Sequence, residues 1–105
     1  MLEAATLACS YVREMTQDEF LRDKKTQQAV VLNLLLIGEE ATKVMRDHET
    51  FTREHPQVPW RGMRGMRNRI AHSYFEIDLI TVWDTLQTAL PSLIEQLPSV
   101  RASAG

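Results

Sequence analysis

The sequence predicts an all-helical fold. Apolar residues recur at helical spacing along nearly the whole chain, and only four glycines and four prolines interrupt it. The composition, 44% hydrophobic and 25% charged, is typical of a compact globular protein. A chain of 105 residues has room for one domain with a modest core. We therefore predict one helical domain over residues 1–97 and a flexible tail over residues 98–105.

The first half of the chain predicts three helical segments. The spacing of apolar residues predicts a helix from Leu2 to Arg13. Thr16, followed three residues later by Glu19, is typical of a capping box and predicts a short second segment. Lys24 to about Asp47 is the longest helical pattern and contains no proline. We interpret it as the central helix of the domain.

The central helix has more apolar surface than one neighbouring layer can cover. One stripe faces inward and consists of Val30, Leu34, Ile37, Ala41, Val44 and Met45. A second apolar set lies off that stripe and consists of Val31, Leu32, Leu35 and Leu36. A second copy of the chain is the preferred explanation. The alternative is that other helices of the same chain cover both sides.

The second half predicts two more helices separated by proline signals. The segment His55–Pro59 contains two prolines and predicts a turn. Trp60 to about Ala71 follows as a third principal helix. Asp78 is a favourable N-cap for a fourth, Leu79 to about Leu97, which Pro91 should kink.

Charge and cysteine content exclude several classes of protein. Nothing at the N-terminus resembles an export signal and no apolar run could span a membrane, so we expect a cytoplasmic protein. The single cysteine, Cys9, excludes an internal disulfide and fits helix packing. The net charge of −2 does not indicate nucleic-acid binding. However, four of the twelve basic residues fall within nine positions: Arg61, Arg64, Arg67 and Arg69.

These arginines belong to a segment that carries most of the candidate chemistry. On a regular helix Arg61, Asn68 and His72 lie near one another, at about 140–180° from the buried Met63. Arg61 and Arg64 could bind successive phosphates there, because a guanidinium matches two phosphate oxygens. The pattern therefore predicts a polar, phosphate-binding face.

Arg67 lies instead at about 40° from Met63, on the side that should be buried. A charge there requires a partner. Either Glu39 or Glu40 of the central helix pairs with it, or it reaches along the helix towards His72. Arg67 and His72 are about 7.5 Å apart along a helix axis and about 140° apart around it. The helix must therefore end or bend near His72 for the two side chains to share a site.

Such residues could cleave RNA. The ribose 2′-hydroxyl is the nucleophile, so cleavage requires a base, an acid and positive charge at the phosphate. An imidazole titrates near neutrality and can exchange protons, whereas a guanidinium supplies permanent charge. This chemistry requires no metal, and no compact metal-ligand set or cofactor motif appears in the sequence. The alternative for His72 is a stabilising role at a helix C-terminus, and the spacing leaves both possibilities open.

The segment from Arg67 to Tyr74 matches the R-x-x-x-x-H-x-Y signature of HepT-like toxins in the HEPN superfamily. The resemblance covers nearly the whole chain, from about Leu2 to Leu97. Further matching segments include Pro59-Trp60-Arg61, Gly65-Met66-Arg67-Asn68, His72-Ser73-Tyr74-Phe75, Asn33 through Glu39, and Asp78 through Trp83. Members of the family usually have several more residues ahead of Leu2, so the first helix here is expected to be short.

The resemblance implies an antiparallel four-helix-type bundle with a short extra helical segment, and a homodimer with the two motif helices beside a shared cleft. It implies that Arg67 and His72 are the catalytic pair of a metal-independent endoribonuclease. Asn68 would then position the phosphate, and the neighbouring Arg61, Arg64 and Arg69 would contact RNA.

The resemblance also implies a partner and a mechanism of control. Such toxins are paired with an MntA-like nucleotidyltransferase antitoxin, which transfers AMP to the motif tyrosine, here Tyr74. The arrangement is that of a type VII-like toxin–antitoxin pair. The alternative for Tyr74 is a partly buried tyrosine at a helix end. The alternative for the whole chain is a non-catalytic binding partner of a nucleotidyltransferase, a nucleotide- or RNA-binding module.

Overall fold

A computed structural model describes the backbone of residues 1–104 and the side chains of residues 1–100. Its regular elements are seven α-helices and one 3₁₀ turn. In chain order they are α1 (Leu2–Tyr11), α2 (Gln17–Arg22), α3 (Lys24–Asp47), α4 (Glu49–Glu54), α5 (Trp60–Ser73), the 3₁₀ turn (Tyr74–Glu76), α6 (Leu79–Gln87) and α7 (Ala89–Ala104). The predicted all-helical class is confirmed.

Helix α3 is the centre of the bundle. It packs against α5 on one side and against α1 on the other, while α7 packs against α1 and α6. The backbone extends over 41 × 29 × 16 Å, and 16 Å is about the backbone depth of two packed helix layers. A central helix in so thin a bundle keeps part of its circumference exposed.

Local capping interactions fix where the helices begin. Thr16 and Glu19 form the predicted capping box, with both reciprocal hydrogen bonds present, at the start of α2. Asp78 is the predicted N-cap of α6 and accepts hydrogen bonds from the backbone N–H groups of Ile80 and Thr81. The hydrogen bond from the Thr81 hydroxyl lowers the pKa of Asp78. These starts were predictable because each uses only neighbouring residues.

The surplus apolar surface of α3 is covered only in part. Most of the predicted inward stripe is buried, namely Val30, Leu34, Ile37 and Ala41. Its last two residues, Val44 and Met45, are partly buried. Val31, from the second apolar set, is also buried, so helices of the same chain cover some of it. Leu32 and Leu36 remain 54% and 47% exposed. A homodimer remains a prediction.

The fourth predicted helix is broken rather than kinked. Helix α6 ends at Gln87, and α7 begins at Ala89 after Thr88, whose backbone dihedrals are −124° and −70°. Pro91 has no N–H group, and its ring would clash with the carbonyl of Gln87 in a continuous helix. Pro91 is tolerated in the first turn of α7, so the chain starts a new helix there.

Helix α7 passes the predicted domain boundary at residue 97. It continues to Ala104 with Pro98 inside it, and Val100 is only 3% exposed. The helix continues because Leu93, Leu97 and Val100 are buried at helical spacing. Gly105 and the side chains beyond Val100 lie outside the described residues, and the flexibility assigned to residues 98–105 stays a prediction.

Helix α4 was not predicted. It has six residues, of which only Phe51 is apolar, so no hydrophobic period identifies it. The Phe51 ring lies 6.3 Å from the ring of Trp60, which connects α4 to the start of α5. The predicted turn at His55–Pro59 is present, and the Trp60 indole N–H donates to the carbonyl of His55 at 2.9 Å.

No helix within residues 1–104 is long and apolar enough to cross a membrane.

The cysteine is half-buried, and burial raises the pKa of the Cys9 thiol. The thiol lies 3.8 Å from the carbonyl oxygen of Leu86, which supports its interpretation as a packing residue.

Gly38 allows α3 and α5 to approach closely. A Cβ atom at this position would overlap the Cβ of Arg67 and lie 2.7 Å from the carbonyl oxygen of Met63. Gly65, in the middle of α5, is different, because an added Cβ there would have no neighbour within 4 Å. The first glycine is therefore required by packing, whereas the second is not.

This contrast predicts opposite effects of two matched substitutions. Gly65→Ala should stabilise the fold by about 0.5–1 kcal/mol, because alanine is the better helix former. Gly38→Ala should destabilise it by about 1–3 kcal/mol, because the overlap is with the Cβ of Arg67 and the carbonyl of Met63, neither of which a rotamer change can move. Urea unfolding of the two variants measures both effects. A Gly38→Ala variant as stable as Gly65→Ala would contradict the close approach of α3 and α5.

Candidate functional site

The candidate site lies along α5 and the turn that follows it. The helix begins directly after Pro59 and ends at Ser73, one residue beyond His72. The 3₁₀ turn Tyr74–Glu76 then redirects the chain towards α6. The predicted ending of this helix near His72 is confirmed.

Arg67 is held by the central helix. Its Nε–H donates to the Glu39 carboxylate, the first of the two predicted partners. Glu40 instead accepts from the amino group of Met1 at 2.6 Å. The Arg67 and Glu39 side chains are 31% and 45% exposed, so water screens the pair in part. The contact therefore orients the guanidinium more than it stabilises the fold.

The Arg67 guanidinium keeps part of its donor capacity free. Its NH1 group donates to the Asn68 carboxamide oxygen at 3.0 Å. A guanidinium has five N–H donors, and these two contacts use two of them. With 31% of the side chain exposed, the remaining donors can reach an anion from solvent. Arg67 is thus fixed in place and accessible.

His72 is exposed in the last turn of α5. It forms no hydrogen bond or ion pair with any of the residues whose side chains are described. Because α5 is an α-helix as far as Ser73, His72 lies about 7.5 Å from Arg67 along the axis and about 140° from it around the helix. The structure thus leaves both groups open to solvent, but it does not bring them together within one chain.

The other predicted contact residues of α5 divide into two groups. Arg61, Arg64 and Asn68 are exposed, and helical geometry places them within about 80° of His72. Arg69 is also exposed and lies about 60° from His72, but on the opposite flank of His72 from the other three residues and about 160° from Arg67.

Arg69 lines a separate pocket of about 270 Å³ between α5, the 3₁₀ turn and α6. Glu76 and Asp78 line the same pocket. Two carboxylates beside one guanidinium offset its charge. A contact between Arg69 and RNA stays a prediction, and its surroundings favour it less than those of Arg61 and Arg64.

Tyr74 is accessible at the start of the 3₁₀ turn. It is 41% exposed, and its ring lies edge-on to that of Phe75 at 5.5 Å. Phe75 is 98% exposed. The tyrosine is therefore accessible to a modifying enzyme, and its role stays a prediction.

Sequence reasoning did not identify Gly38 as part of this site. The available signal was a single glycine inside a helix of 24 residues that otherwise lacks one. That signal shows only that the helix tolerates a residue of low propensity. The close approach to Arg67 depends on how α3 and α5 cross, which no local pattern specifies.

Comparison with known proteins connects this helix to a family. The family model described as "Ribonuclease HepT-like" matches residues 1–100. The chain belongs to the HepT-like ribonuclease family of the HEPN superfamily. The match spans α1 to most of α7 and therefore includes both Glu39 and the motif of α5.

Curated relatives agree with this assignment. A protein named "Probable ribonuclease HepT" from Thermococcus cleftensis is 39% identical over 99 residues, 94% of this chain and 87% of the relative. A protein named "Putative RNase" from Methanocaldococcus jannaschii is 39% identical over 90 residues, 86% of this chain and 72% of the relative. No solved structure matches at a comparable level of significance.

The orientation of Arg67 by Glu39 can be tested with adjacent substitutions. Glu39→Gln should remove the charged acceptor of the Arg67 Nε–H, so solvent exchange of that proton should accelerate. Glu40→Gln, one position along the same helix, should leave the exchange unchanged. Nuclear magnetic resonance of the arginine Nε–H groups measures it. Because the pair is partly exposed, Glu39→Gln should lower stability by less than about 1 kcal/mol. Equal exchange in both variants would show that Glu39 does not hold Arg67.

Proposed function

We propose that this chain is a metal-independent endoribonuclease with Arg67 and His72 as its catalytic pair. The observation that carries the proposal is that Arg67 is oriented by Glu39 yet open to solvent, while an accessible imidazole lies at the end of the same helix. Membership of a ribonuclease family supports the reaction class.

The chemistry follows from the two groups. The His72 imidazole accepts the proton of the ribose 2′-hydroxyl, and the 2′-oxygen attacks the adjacent phosphorus. The bond to the 5′-oxygen breaks, that oxygen takes up the proton that the imidazolium now carries, and a 2′,3′-cyclic phosphate remains. Arg67 stabilises the negative charge that develops on the phosphate oxygens. The nucleophile belongs to the substrate, so the reaction requires no metal-activated water.

A second copy of the chain would complete the site. Within one chain the two groups face different sides of α5, about 140° apart. In a two-fold dimer Arg67 of one copy can meet His72 of the other. The exposed Leu32 and Leu36 on α3 supply apolar surface for such an association. We therefore propose that the active form is a homodimer.

Control of the activity is proposed to act through Tyr74. A cytoplasmic nucleotidyltransferase of the MntA type would transfer AMP from ATP to the tyrosine hydroxyl and release pyrophosphate. The added phosphate places negative charge near the arginines of α5 and occupies the approach to His72. The chain would thus be the toxin of a type VII-like pair.

His72→Ala should abolish RNA cleavage and leave the fold intact, because the exposed imidazole has no partner among the described side chains. The matched control is His48→Ala, an exposed histidine between α3 and α4, which should retain full activity. Cleavage of a labelled RNA in the presence of a chelator measures both variants. Cleavage by His72→Ala would remove the histidine from the mechanism. A wild-type chain that binds RNA without cleaving it would instead support a non-catalytic binding module.

Mixing two inactive variants tests the composite site. If Arg67 and His72 of different copies cooperate, an Arg67→Ala/His72→Ala heterodimer contains one intact site of two. After exchange of subunits, about a quarter of the wild-type activity should return, since half of the dimers are mixed. Native mass spectrometry verifies that the subunits have exchanged. A mixture that has exchanged and stays inactive would show that each site lies within one copy.

The two tyrosines provide a matched test of modification. Tyr11 and Tyr74 are 42% and 41% exposed, so accessibility alone would not distinguish them. After coexpression with a nucleotidyltransferase of the MntA type, peptide mass spectrometry should find AMP on Tyr74 and none on Tyr11. Tyr74→Phe should prevent the modification, whereas Tyr11→Phe should not. Equal labelling of both residues would indicate unspecific transfer.

A further inference from the structure

Four arginines from three helices line one open groove. The groove has a volume of about 930 Å³ and lies between the end of α3, helix α4 and the start of α5. Arg46 comes from α3, Arg53 from α4, and Arg61 and Arg64 from α5. One carboxylate, Glu49, lines it as well. Residues that are 18 positions apart in sequence thus converge on one surface.

The groove concentrates positive charge that the whole chain lacks. The net charge of the protein is −2, yet four of its twelve Lys and Arg residues line this surface, against the two carboxylates of Glu49 and Asp47 that contact them. A concave surface with one sign of charge attracts polyanions and raises their local concentration. The chemistry fits a phosphodiester chain better than an isolated anion, because the guanidiniums are spread along the groove.

The guanidiniums are available to a ligand. Arg61 and Arg64 have no carboxylate partner among the described residues. Arg46 binds the neighbouring Asp47 at 2.9 Å, and Arg53 binds Glu49 at 2.9 Å. These two side chains are 64% and 72% exposed, and exposed ion pairs contribute little stability. A phosphate can therefore replace the carboxylate at small cost.

The floor of the groove favours binding through the backbone of the ligand. Val58 and Trp60 are 2% and 7% exposed, so neither ring nor side chain stands free to stack on a base. Contacts between the guanidiniums and the phosphates then carry the binding. Recognition should then depend weakly on base sequence.

The groove is continuous with the proposed catalytic face. Arg61, Arg64, Asn68 and His72 lie on one side of α5, within about 80° of one another. Arg61 and His72 are eleven residues apart, which is about 16 Å along the helix and several nucleotides of a strand. A strand bound in the groove would thus reach the imidazole.

We propose that this groove binds the phosphates of single-stranded RNA several nucleotides away from the cleaved bond, with Arg46 and Arg53 as binding residues additional to those of α5. The proposal rests on the ribonuclease function proposed above. It makes the affinity depend on the length of the substrate, because a short oligonucleotide occupies His72 without reaching Arg53.

The test compares two double variants of equal charge. Arg46→Gln/Arg53→Gln removes the distal half of the groove, and Arg13→Gln/Arg22→Gln removes two exposed arginines near α1 and α2. Both are made in the His72→Ala background to keep the RNA intact. Fluorescence anisotropy then measures the binding of a long and a short single-stranded RNA over a range of salt concentrations.

The groove variant should bind the long RNA more weakly than the control, and its salt dependence should fall by about 0.7 for each lost phosphate contact. Affinity for the short RNA should not change. Equal affinity of the two double variants for the long RNA would overturn the proposal.

Cleavage separates this proposal from the proposed function. With His72 restored, the groove variant should cleave the short RNA at the wild-type rate and the long RNA with a raised KM. If the wild-type chain cleaves neither RNA, the catalytic proposal fails. The anisotropy measurement still tests the length-dependent binding independently. Loss of short-RNA cleavage in the groove variant, with its fold intact by circular dichroism, would contradict a role confined to distant phosphates.

Discussion

The arrangement of the site depends on the close contact between α3 and α5. At Gly38 the two backbones approach so closely that no Cβ fits, and the next residue, Glu39, meets Arg67 directly opposite. The steric and the electrostatic parts of this contact support each other. The missing side chain allows the approach, and the approach places the carboxylate within reach of the guanidinium. Helix α5 and all that it carries are positioned by this crossing.

The crossing also explains how a charged residue can lie on the packed side of a helix. Arg67 is at the edge of the interface, where its stem packs beside Gly38 and its head reaches partial solvent. A fully buried guanidinium would lose more hydration energy than one carboxylate returns. A fully exposed one would lack a fixed orientation. At the edge of the interface, the Arg67 guanidinium has a fixed orientation and can still be reached from solvent.

Features that depend on neighbouring residues could be predicted from the sequence, whereas those that depend on the packing of distant segments could not. The capping box at Thr16, the bounds of α3 and the turn before Trp60 follow from local chemistry. The charge on the packed side of α5 indicated a partner on α3, and Glu39 was one of two candidates. Which of them pairs with Arg67 depends on the register between the helices. Helix α4 lacks an apolar period, and the effect of Pro91 depended on whether Thr88 could turn the chain.

The same distinction between local and long-range features applies to the candidate site. The candidate residues of α5 were proposed from their types and spacing, and the exposed face shared by Arg61, Arg64, Asn68 and His72 followed from helical geometry. Arg69 was grouped with them because it is close in sequence, although the structure places it beside Glu76 and Asp78. The groove with Arg46 and Arg53 escaped notice because its arginines come from three helices. Distances between elements carry information that a linear pattern lacks.

Because the bundle is shallow, the charges on its surface can change with little effect on the stability of the fold. In a bundle only about two helix layers deep, most helices have one side in water, and substitutions there usually change stability by less than about 0.5 kcal/mol. Positive charges can therefore be gathered in one groove without disturbing the core. Substitutions on the outer faces can therefore change what such a scaffold binds, whereas position 38 has no room for a residue larger than glycine.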